Sequence, residues 1–265
     1  MTDIESAAAS PRLAAAPLLR LDRLSIAFGG LQAVQQVSLD LMPGRLAALI
    51  GPNGAGKTTL FALISGFLHP DSGSVWFDGK DVTGREPHLN ARAGMTRTFQ
   101  IVQPFAAQTV RENIAVGAHL REPGRARALA AAERVAERVG LADQLDKPAG
   151  DLTVAGRKRL ELARALATGP KLLLLDEVLA GLNPQEIEAV IPLLRGLAAS
   201  GITVLMIEHV MQAVMNLAQE VWVLAQGELI ASGTPAEVTS NPRVIEAYLG
   251  AGAAAKLRRA ARVQA

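Results

Sequence analysis

The sequence contains no cysteine in 265 residues, which excludes a disulfide framework, thiolate zinc sites, iron–sulfur clusters and a cysteine nucleophile together. It has almost no net charge. Lys and Arg number 27 against 25 Asp and Glu, leaving +2, too little for a nucleic-acid footprint by charge alone. Apolar runs are short, and none approaches the roughly 18 residues that a membrane span requires. The Ala-rich N-terminus is broken by Pro11, Arg12, Pro17 and Arg20, so no signal-peptide core is visible. These absences point to a soluble, cytoplasmic globular chain. What is present agrees: 49% hydrophobic and 20% charged residues are an ordinary globular balance. The length suits one large domain or two small ones, with a core that needs no disulfide or metal staple.

Residues 1–18 read as a loose tail of small residues with two prolines. LLRLDRLSIAF and QVSLDLM then alternate apolar and polar residues at period two, as strands do, with Gly29-Gly30 between them. After the Pro43-Gly44 turn, Leu46–Ile50 is wholly apolar, the pattern of a buried parallel strand. Lys57–Leu68 is helix-compatible, and Ser74–Asp78 predicts another strand. From 110 to 149 charges and alanines dominate. RARALAAAERVAERV has helical spacing and a stop at Gly140, so a helical subdomain inserted into a sheet protein is expected. KLLLLDE, ITVLMIEH, EVWVLAQ and GELIASG return as strands alternating with helical stretches at 184–199 and 210–219, as in a parallel βαβ sheet. The last fifteen residues form a basic tail containing Lys256, Arg258, Arg259 and Arg262; a solvated tail and a contact with anionic lipid are both open to it.

Gly51-Pro52-Asn53-Gly54-Ala55-Gly56-Lys57-Thr58 matches G-x-x-x-x-G-K-[ST] in full. A loop that wraps a polyphosphate with successive backbone N–H groups needs side chains to vanish at the closest approaches, hence Gly51, Gly54 and Gly56. The helix that follows aims its positive N-terminal end at the same anion. Lys57 reaches the β- and γ-phosphates, and the Thr58 hydroxyl is suited to Mg²⁺. This loop alone leaves kinases, GTPases and ATPases open. Leu172–Leu175 ends in Asp176-Glu177, two carboxylates at the strand end where ligands of open α/β sheets bind. Asp176 suits the Mg²⁺ sphere. Glu177 either faces solvent or polarises an attacking water. His209, after ITVLMIE, and Gln100, after Arg97-Thr98-Phe99, emerge where a γ-phosphate sensor would sit, though neither is specific by itself.

In this order the motifs resemble those of the nucleotide-binding subunits of ABC transporters: P-loop at 51–58, glutamine loop at Gln100, signature segment near 152–157, Asp-Glu at 176–177, the Asn183 loop and a switch histidine at 209. The likeness runs from about residue 19 to residue 250. FGGLQAV (28–34), RTFQ (97–100), AGLNP (180–184), IEH (207–209) and AYLG (247–250) are most similar to the ATPase subunits of branched-chain amino acid importers. The resemblance implies an α/β P-loop NTPase with a mainly parallel core sheet, an N-terminal antiparallel β portion and a helical subdomain at about 91–160. It implies ATP and Mg²⁺ as ligands, the metal held by Thr58, Gln100 and Asp176. Phe28 would stack on adenine, the alternative being a strand-core aromatic, and residues 51–58 with Thr59 would hold the phosphates. Glu177 would be the general base, His209 would hold the γ-phosphate, and Gln100 would probe the metal and the attacking water. Ile101, Val102, Pro104 and Phe105, beside that glutamine, would either pack in the core or help accept a membrane subunit.

The family works as head-to-tail dimers on two permease subunits at the cytoplasmic side of the inner membrane, served by a periplasmic binding protein and without nucleic acid. Each ATP lies between one chain's P-loop and the other's signature segment, where Thr153 would offer a hydroxyl to the partner's nucleotide. Here the sequence departs from Leu-Ser-Gly-Gly-Gln. It reads Leu152-Thr153-Val154-Ala155-Gly156, with Val178 where proline usually follows the glutamate. A methyl group at Ala155 stands where backbone should approach phosphate, so the site this chain completes on its partner is expected to be the weaker one. Urea, amide or other amino-acid importers and lipopolysaccharide exporters share the fold. Soluble relatives on ribosomes or DNA usually carry two nucleotide domains or a long coiled-coil insertion, for which this chain has no room. A P-loop kinase is disfavoured by an Asp-Glu pair that would direct ATP to water.

Overall fold

The computed structural model of the chain describes residues 16–100 and 103–250. Most of the expected N-terminal tail, the basic tail at 251–265 and the apolar pair Ile101 and Val102 lie outside the described residues. Leu18, expected in the tail, is buried, and its N–H donates to the Leu41 carbonyl at 2.8 Å.

Two sheets carry the chain. The first is antiparallel, in the order β2 (Leu31–Leu41), β1 (Leu19–Phe28), β4 (Ser72–Phe77) and β5 (Lys80–Asp81). Period-two alternation forces this: β1 buries Leu19, Leu21, Leu24 and Ile26 on one face and turns Arg20 and Asp22 outward. The Asp78-Gly79 pair between β4 and β5 has positive φ at both positions (51° and 72°), the geometry that two-residue hairpin turns favour.

The second sheet has six strands, ordered β10 (Glu228–Gly233), β9 (Glu220–Ala225), β3 (Leu46–Ile50), β8 (Thr203–Ile207), β7 (Leu172–Asp176) and β6 (Met95–Arg97). Strands β3, β7 and β8 are buried throughout, as expected of parallel strands covered on both faces. Two points differ from the sequence expectation. Met95–Arg97, within the span expected to be helical, forms the edge strand β6, parallel to β7; three residues are too few for a periodic signal. Glu228–Gly233 runs antiparallel to β9, because Gln226-Gly227 (φ 51° and 82°) closes a hairpin instead of a crossover.

Helix α1 (Lys57–Ser65) packs on one face of this sheet, together with the antiparallel sheet, around Leu49, Phe61 and Ile207. The other face is covered by α5 (Val154–Ala167), α6 (Pro184–Ala199), α7 (Met211–Leu217), α8 (Pro235–Ser240) and α9 (Pro242–Leu249). The short α2 (Pro87–Ala93) leads into β6. Helices α3 (Val110–Ala118) and α4 (Arg125–Val139) pack on each other and on α5 through Ala115, Ala118, Ala128, Ala132 and Ala136. Alanine at these contacts lets the helix axes approach closely. Helix α4 ends, as its sequence predicts, at Gly140 with φ 71°. Loop 105–109 is held by the buried Asn113, whose amide donates to the Phe105 and Thr109 carbonyls while its oxygen accepts from the Phe105 N–H.

Candidate functional site

The loop between β3 and α1 forms the floor of a cleft of about 830 Å³, lined among others by Phe28, Asn53, Lys57, Thr58, Glu177 and His209. Glycine is compulsory at two places in it. A Cβ on Gly51 (φ 153°) would sit 1.9 Å from the Leu224 carbonyl oxygen, and one on Gly56 (φ 101°) 2.2 Å from that of Ala33. Gly56 is also the N-cap of α1, and no side chain caps the helix there. Its first-turn N–H groups are left without a side-chain cap among the described residues, an arrangement suited to an anion. Pro52, Asn53, Gly54 and Ala55 complete the turn, with the Ala55 N–H donating to Pro52 O at 3.2 Å. The β9–β10 turn braces the loop from outside, since Gly227 N–H donates to the Ala55 carbonyl at 3.0 Å.

Lys57 is buried and curls back on its own loop, donating to the Gly51 carbonyl at 2.8 Å and the Pro52 carbonyl at 2.9 Å. Burial pushes its ammonium below the ordinary lysine value, and the carboxylates of Glu177 and Asp176 oppose that shift. Thr58 and Thr59 follow in the first turn of α1. Phe28, at the end of β1, is 47% exposed beside the cleft. It is therefore not the core aromatic that its strand position allowed, and its ring is free to meet a planar ligand.

Asp176 ends β7. Its side chain is almost fully buried and accepts from Arg97 Nη2 at 2.7 Å, while its Oδ1 has no partner among the described residues. Arg97, whose side chain is 8% exposed, lies 5.8 Å from the Phe61 ring centroid and 5.5 Å from that of Phe99. Thr98 Oγ1 accepts from the Asp176 N–H at 3.1 Å. Thr58, Gln100 and Asp176 line one common cavity between the sheet and the inserted helices. That lining brings together a carboxylate with one unpartnered, buried oxygen, a hydroxyl and a side-chain amide, an oxygen donor set that fits a hard divalent cation. Among the described residues no cluster of three acidic or histidine side chains exists, so such an ion would take its remaining ligands from phosphate and water.

Glu177 stands at the centre. Its Oε2 accepts from Gln100 Nε2 at 2.7 Å and its Oε1 lies 2.8 Å from His209 Nε2. The three side chains expected to act on the terminal phosphate thus meet at one carboxylate. The Glu177 backbone has φ 50°, a left-handed conformation that costs a non-glycine residue about 1–3 kcal/mol and persists only where the surroundings enforce it. Its N–H donates to the Ile207 carbonyl at 3.0 Å.

Thr153 lies away from this cluster, at the N-terminus of α5. It is exposed and caps the helix by accepting from the Gly156 N–H at 3.1 Å. Val154, next in the segment, is 60% exposed.

Three participants went unassigned in the sequence. Arg97 is visible only as a letter of RTFQ. Lys158, on α5, donates to the Glu177 carbonyl at 3.1 Å and the Gln100 carbonyl at 3.3 Å. Glu208, buried after an apolar strand, accepts from the Leu179 N–H at 3.0 Å. An acidic residue continuing a wholly buried run was the one available signal for it.

Burial raises the Glu208 carboxyl from 4.5 to about 7, and the Glu177 charge adds to this. The N–H groups of Leu179 and His209 and the Lys158 ammonium oppose it. Between those pH values the unfolded carboxyl is ionised while the folded one keeps its proton. The folded state binds more protons there, so stability falls as pH rises through the window. At 1.36 kcal/mol per unit the fall is at most about 3 kcal/mol. Glu208→Gln is expected to flatten this slope and to be more stable than the parent above pH 7. Thermal unfolding at pH 5 and pH 8 checks it, and parallel slopes for the two proteins would refute it.

The comparisons with known proteins agree with this geometry. Residues 34–180 match the ABC transporter family model, and 228–254 match that of the branched-chain amino acid ATP-binding cassette transporter. The chain is 40% identical over 250 residues to the high-affinity branched-chain amino acid transport ATP-binding protein LivG of Escherichia coli K12. That match covers 88% of this chain and 98% of the relative. It is 39% identical, with the same coverage, to the corresponding protein BraF of Pseudomonas aeruginosa. Among solved structures it resembles the ADP conformation of an ATP-binding cassette from an ABC transporter, with TM-score 0.81 and 34% identity over 88% of this chain and 98% of that one. A nucleotide-free cassette superposes with TM-score 0.80 at 33% identity, covering 87% and 98% respectively.

Proposed function

This chain belongs to the ABC transporter family of ATP-binding subunits, and we propose from that premise that it energises the import of branched-chain amino acids through partner permeases. It is an ATPase. The observation that carries the site assignment is the convergence of Gln100 and His209 on Glu177 at the rim of the P-loop cleft. The AYLG-containing C-terminal segment, matching the branched-chain family model at 228–254, supports the substrate class.

In the proposed mechanism Phe28 stacks on the adenine and the backbone N–H groups of the 51–59 loop, Pro52 excepted, surround the phosphates. Lys57 exchanges its two loop carbonyls for β- and γ-phosphate oxygens. Thr58, Gln100 and Asp176 would hold Mg²⁺, which supplies charge neutralisation on the phosphates when bound. Glu177 gives up one of its two side-chain partners and accepts a proton from the water that attacks the γ-phosphorus in line. His209, released from Glu177, donates to the γ-phosphate. Arg97 holds the Asp176 carboxylate by Oδ2, which leaves Oδ1 without a hydrogen-bond partner among the described residues.

A second ATPase chain, identical or different, would close over the nucleotide. Thr153 would present its hydroxyl to the partner's γ-phosphate while its oxygen keeps capping α5. The methyl of Ala155 makes that second site the weaker one. In mixed dimers carrying Glu177→Gln in this chain alone, turnover is expected to fall steeply, and nearly unchanged turnover would sink the asymmetry. No helix among the described residues is long and apolar enough to cross a membrane, so attachment at the cytoplasmic face would come through two permease subunits, fed by a periplasmic binding protein. The functional test is ATP-driven uptake in proteoliposomes holding the assembled importer. Leucine, isoleucine and valine should compete with one another, and competition by urea or amides instead would redirect the substrate assignment.

Phe28→Ala should weaken ATP binding about 5-fold or more, since stacking of a base on an aromatic ring contributes about 1–3 kcal/mol. Tripolyphosphate, which has no base, should compete equally well for both proteins. Unchanged ATP affinity in a fluorescence titration would remove Phe28 from the site.

A further inference from the structure

Glu177 sits in a left-handed conformation, with φ 50°. A strained residue at a reaction centre stays put only if the structure around it over-determines its backbone. Three ties do so here, two from consecutive residues at the end of β8 and one from α5. The first is the end of β8, where the Ile207 carbonyl accepts from the Glu177 N–H. The second is Glu208, whose carboxyl oxygen takes the Leu179 N–H two residues beyond the strained position. The third is Lys158 of α5, whose ammonium donates at once to the Glu177 carbonyl and to the Gln100 carbonyl. The side chains of those same two residues bond to each other at 2.7 Å. Lys158 therefore fixes from behind the pair that meets in front.

We propose that Glu208 and Lys158 are positioning residues that clamp the backbone of Glu177 in its strained conformation, and that Lys158 makes the clamp depend on the position of α5. The inference rests on the reading of Glu177 as the general base. Its physical content is that α5 belongs to two bodies. It begins at Thr153, packs on α3 and α4 of the inserted helices, and still reaches the catalytic loop through one lysine. An ammonium has three donors on a flexible stem, and two of them are committed to these carbonyls. A displacement of α5 large enough to break both bonds releases Glu177 and Gln100 together. Glu208 is the fixed half of the clamp, because it is only 2% exposed and its carboxyl stands on the β8 end of the core sheet.

Both residues touch protein backbone and not phosphate, so their loss should act on turnover and leave ATP affinity alone. In the assembled ATPase complex, Glu208→Leu and Lys158→Met are each expected to lower kcat by about 10- to 100-fold, with KM for ATP within about twofold. Glu208→Gln, which keeps an acceptor oxygen, should restore most of the lost kcat, and Lys158→Arg, which keeps a cationic donor, part of it. The double variant Glu208→Leu/Lys158→Met should fall no further than the worse single variant, since either loss frees the same loop. Unfolding of Glu208→Leu, seen by circular dichroism, leaves the test with Lys158→Met, since among the described residues the Lys158 side chain hydrogen-bonds to loop carbonyls alone. Wild-type kcat in Lys158→Met, or single losses that multiply in the double variant, would overturn the clamp while Glu177→Gln remains inactive. Full turnover in Glu177→Gln would instead overturn the base assignment, and the clamp with it.

Discussion

Glu177→Gln is expected to lower ATP turnover by about 10²- to 10⁴-fold, the usual contribution of a positioned general base, while ATP binding changes by less than about twofold. Glutamine keeps the length and most of the hydrogen-bonding capacity of the side chain, so the partnership with Gln100 and His209 can persist in altered polarity. What it cannot do is take a proton from water. The phosphate cradle is built by β3, α1 and the 51–59 loop, none of which relies on that carboxylate for its shape. Steady-state hydrolysis and a nucleotide titration on the same preparation separate the two effects. A variant that still turns over at the parental rate would show that Glu177 only anchors His209.

Asp176→Ala should produce the largest loss of stability. The pair it breaks is buried on both sides, 8% exposed at the Arg97 side chain and 2% at Asp176. Removing one partner leaves a guanidinium uncompensated among Phe61, Phe99 and the β6–β7 edge. Breaking such a pair costs about 3–5 kcal/mol, which for a domain of this size lowers Tm by about 6–20 °C. Replacing both charges, as in Arg97→Met/Asp176→Leu, should recover much of the stability because apolar pairs of similar volume are tolerated in such places. Hydrolysis should stay lost in the double variant, since the carboxylate proposed to help hold Mg²⁺ is gone. Differential scanning calorimetry with parallel activity assays checks both halves. A double variant as unstable as Asp176→Ala would mean that the loss comes from packing and not from the unpaired charge.

The glycine spacing of 51–58, the apolar strand before it and the Asp-Glu pair after Leu172–Leu175 were legible because each is a local pattern with one mechanical explanation. The same holds for α4 and its stop at Gly140. Met95–Arg97 was not legible as a strand. Three residues carry no periodicity, and β6 exists because β7 offers it an open parallel edge. Nor was the hairpin at Gln226-Gly227, since a strand's direction in a sheet is set by tertiary packing and not by its own letters. Within the site, Gln100 and His209 carry little meaning alone, and the sequence could place them only through resemblance to a family. Lys158 and Glu208 escaped notice for a related reason. Both act on backbone groups brought near by the fold, Glu208 at Leu179 and Lys158 at Gln100 and Glu177, and contacts at sequence separations of 19 to 58 residues leave no spacing to read.

The central claim is that the 51–59 loop cradles a nucleoside polyphosphate through backbone N–H groups and Lys57. Calorimetric titration of the purified chain with ATP, ADP and AMP, repeated on Lys57→Met, tests it most directly. ATP and ADP should bind, and AMP far more weakly, because the loop surrounds the β-phosphate that AMP lacks. Lys57→Met should weaken ATP by about 10- to 100-fold, the scale of a lost charge-assisted hydrogen bond. Equal binding of AMP and ATP, or full ATP affinity in Lys57→Met, would contradict it.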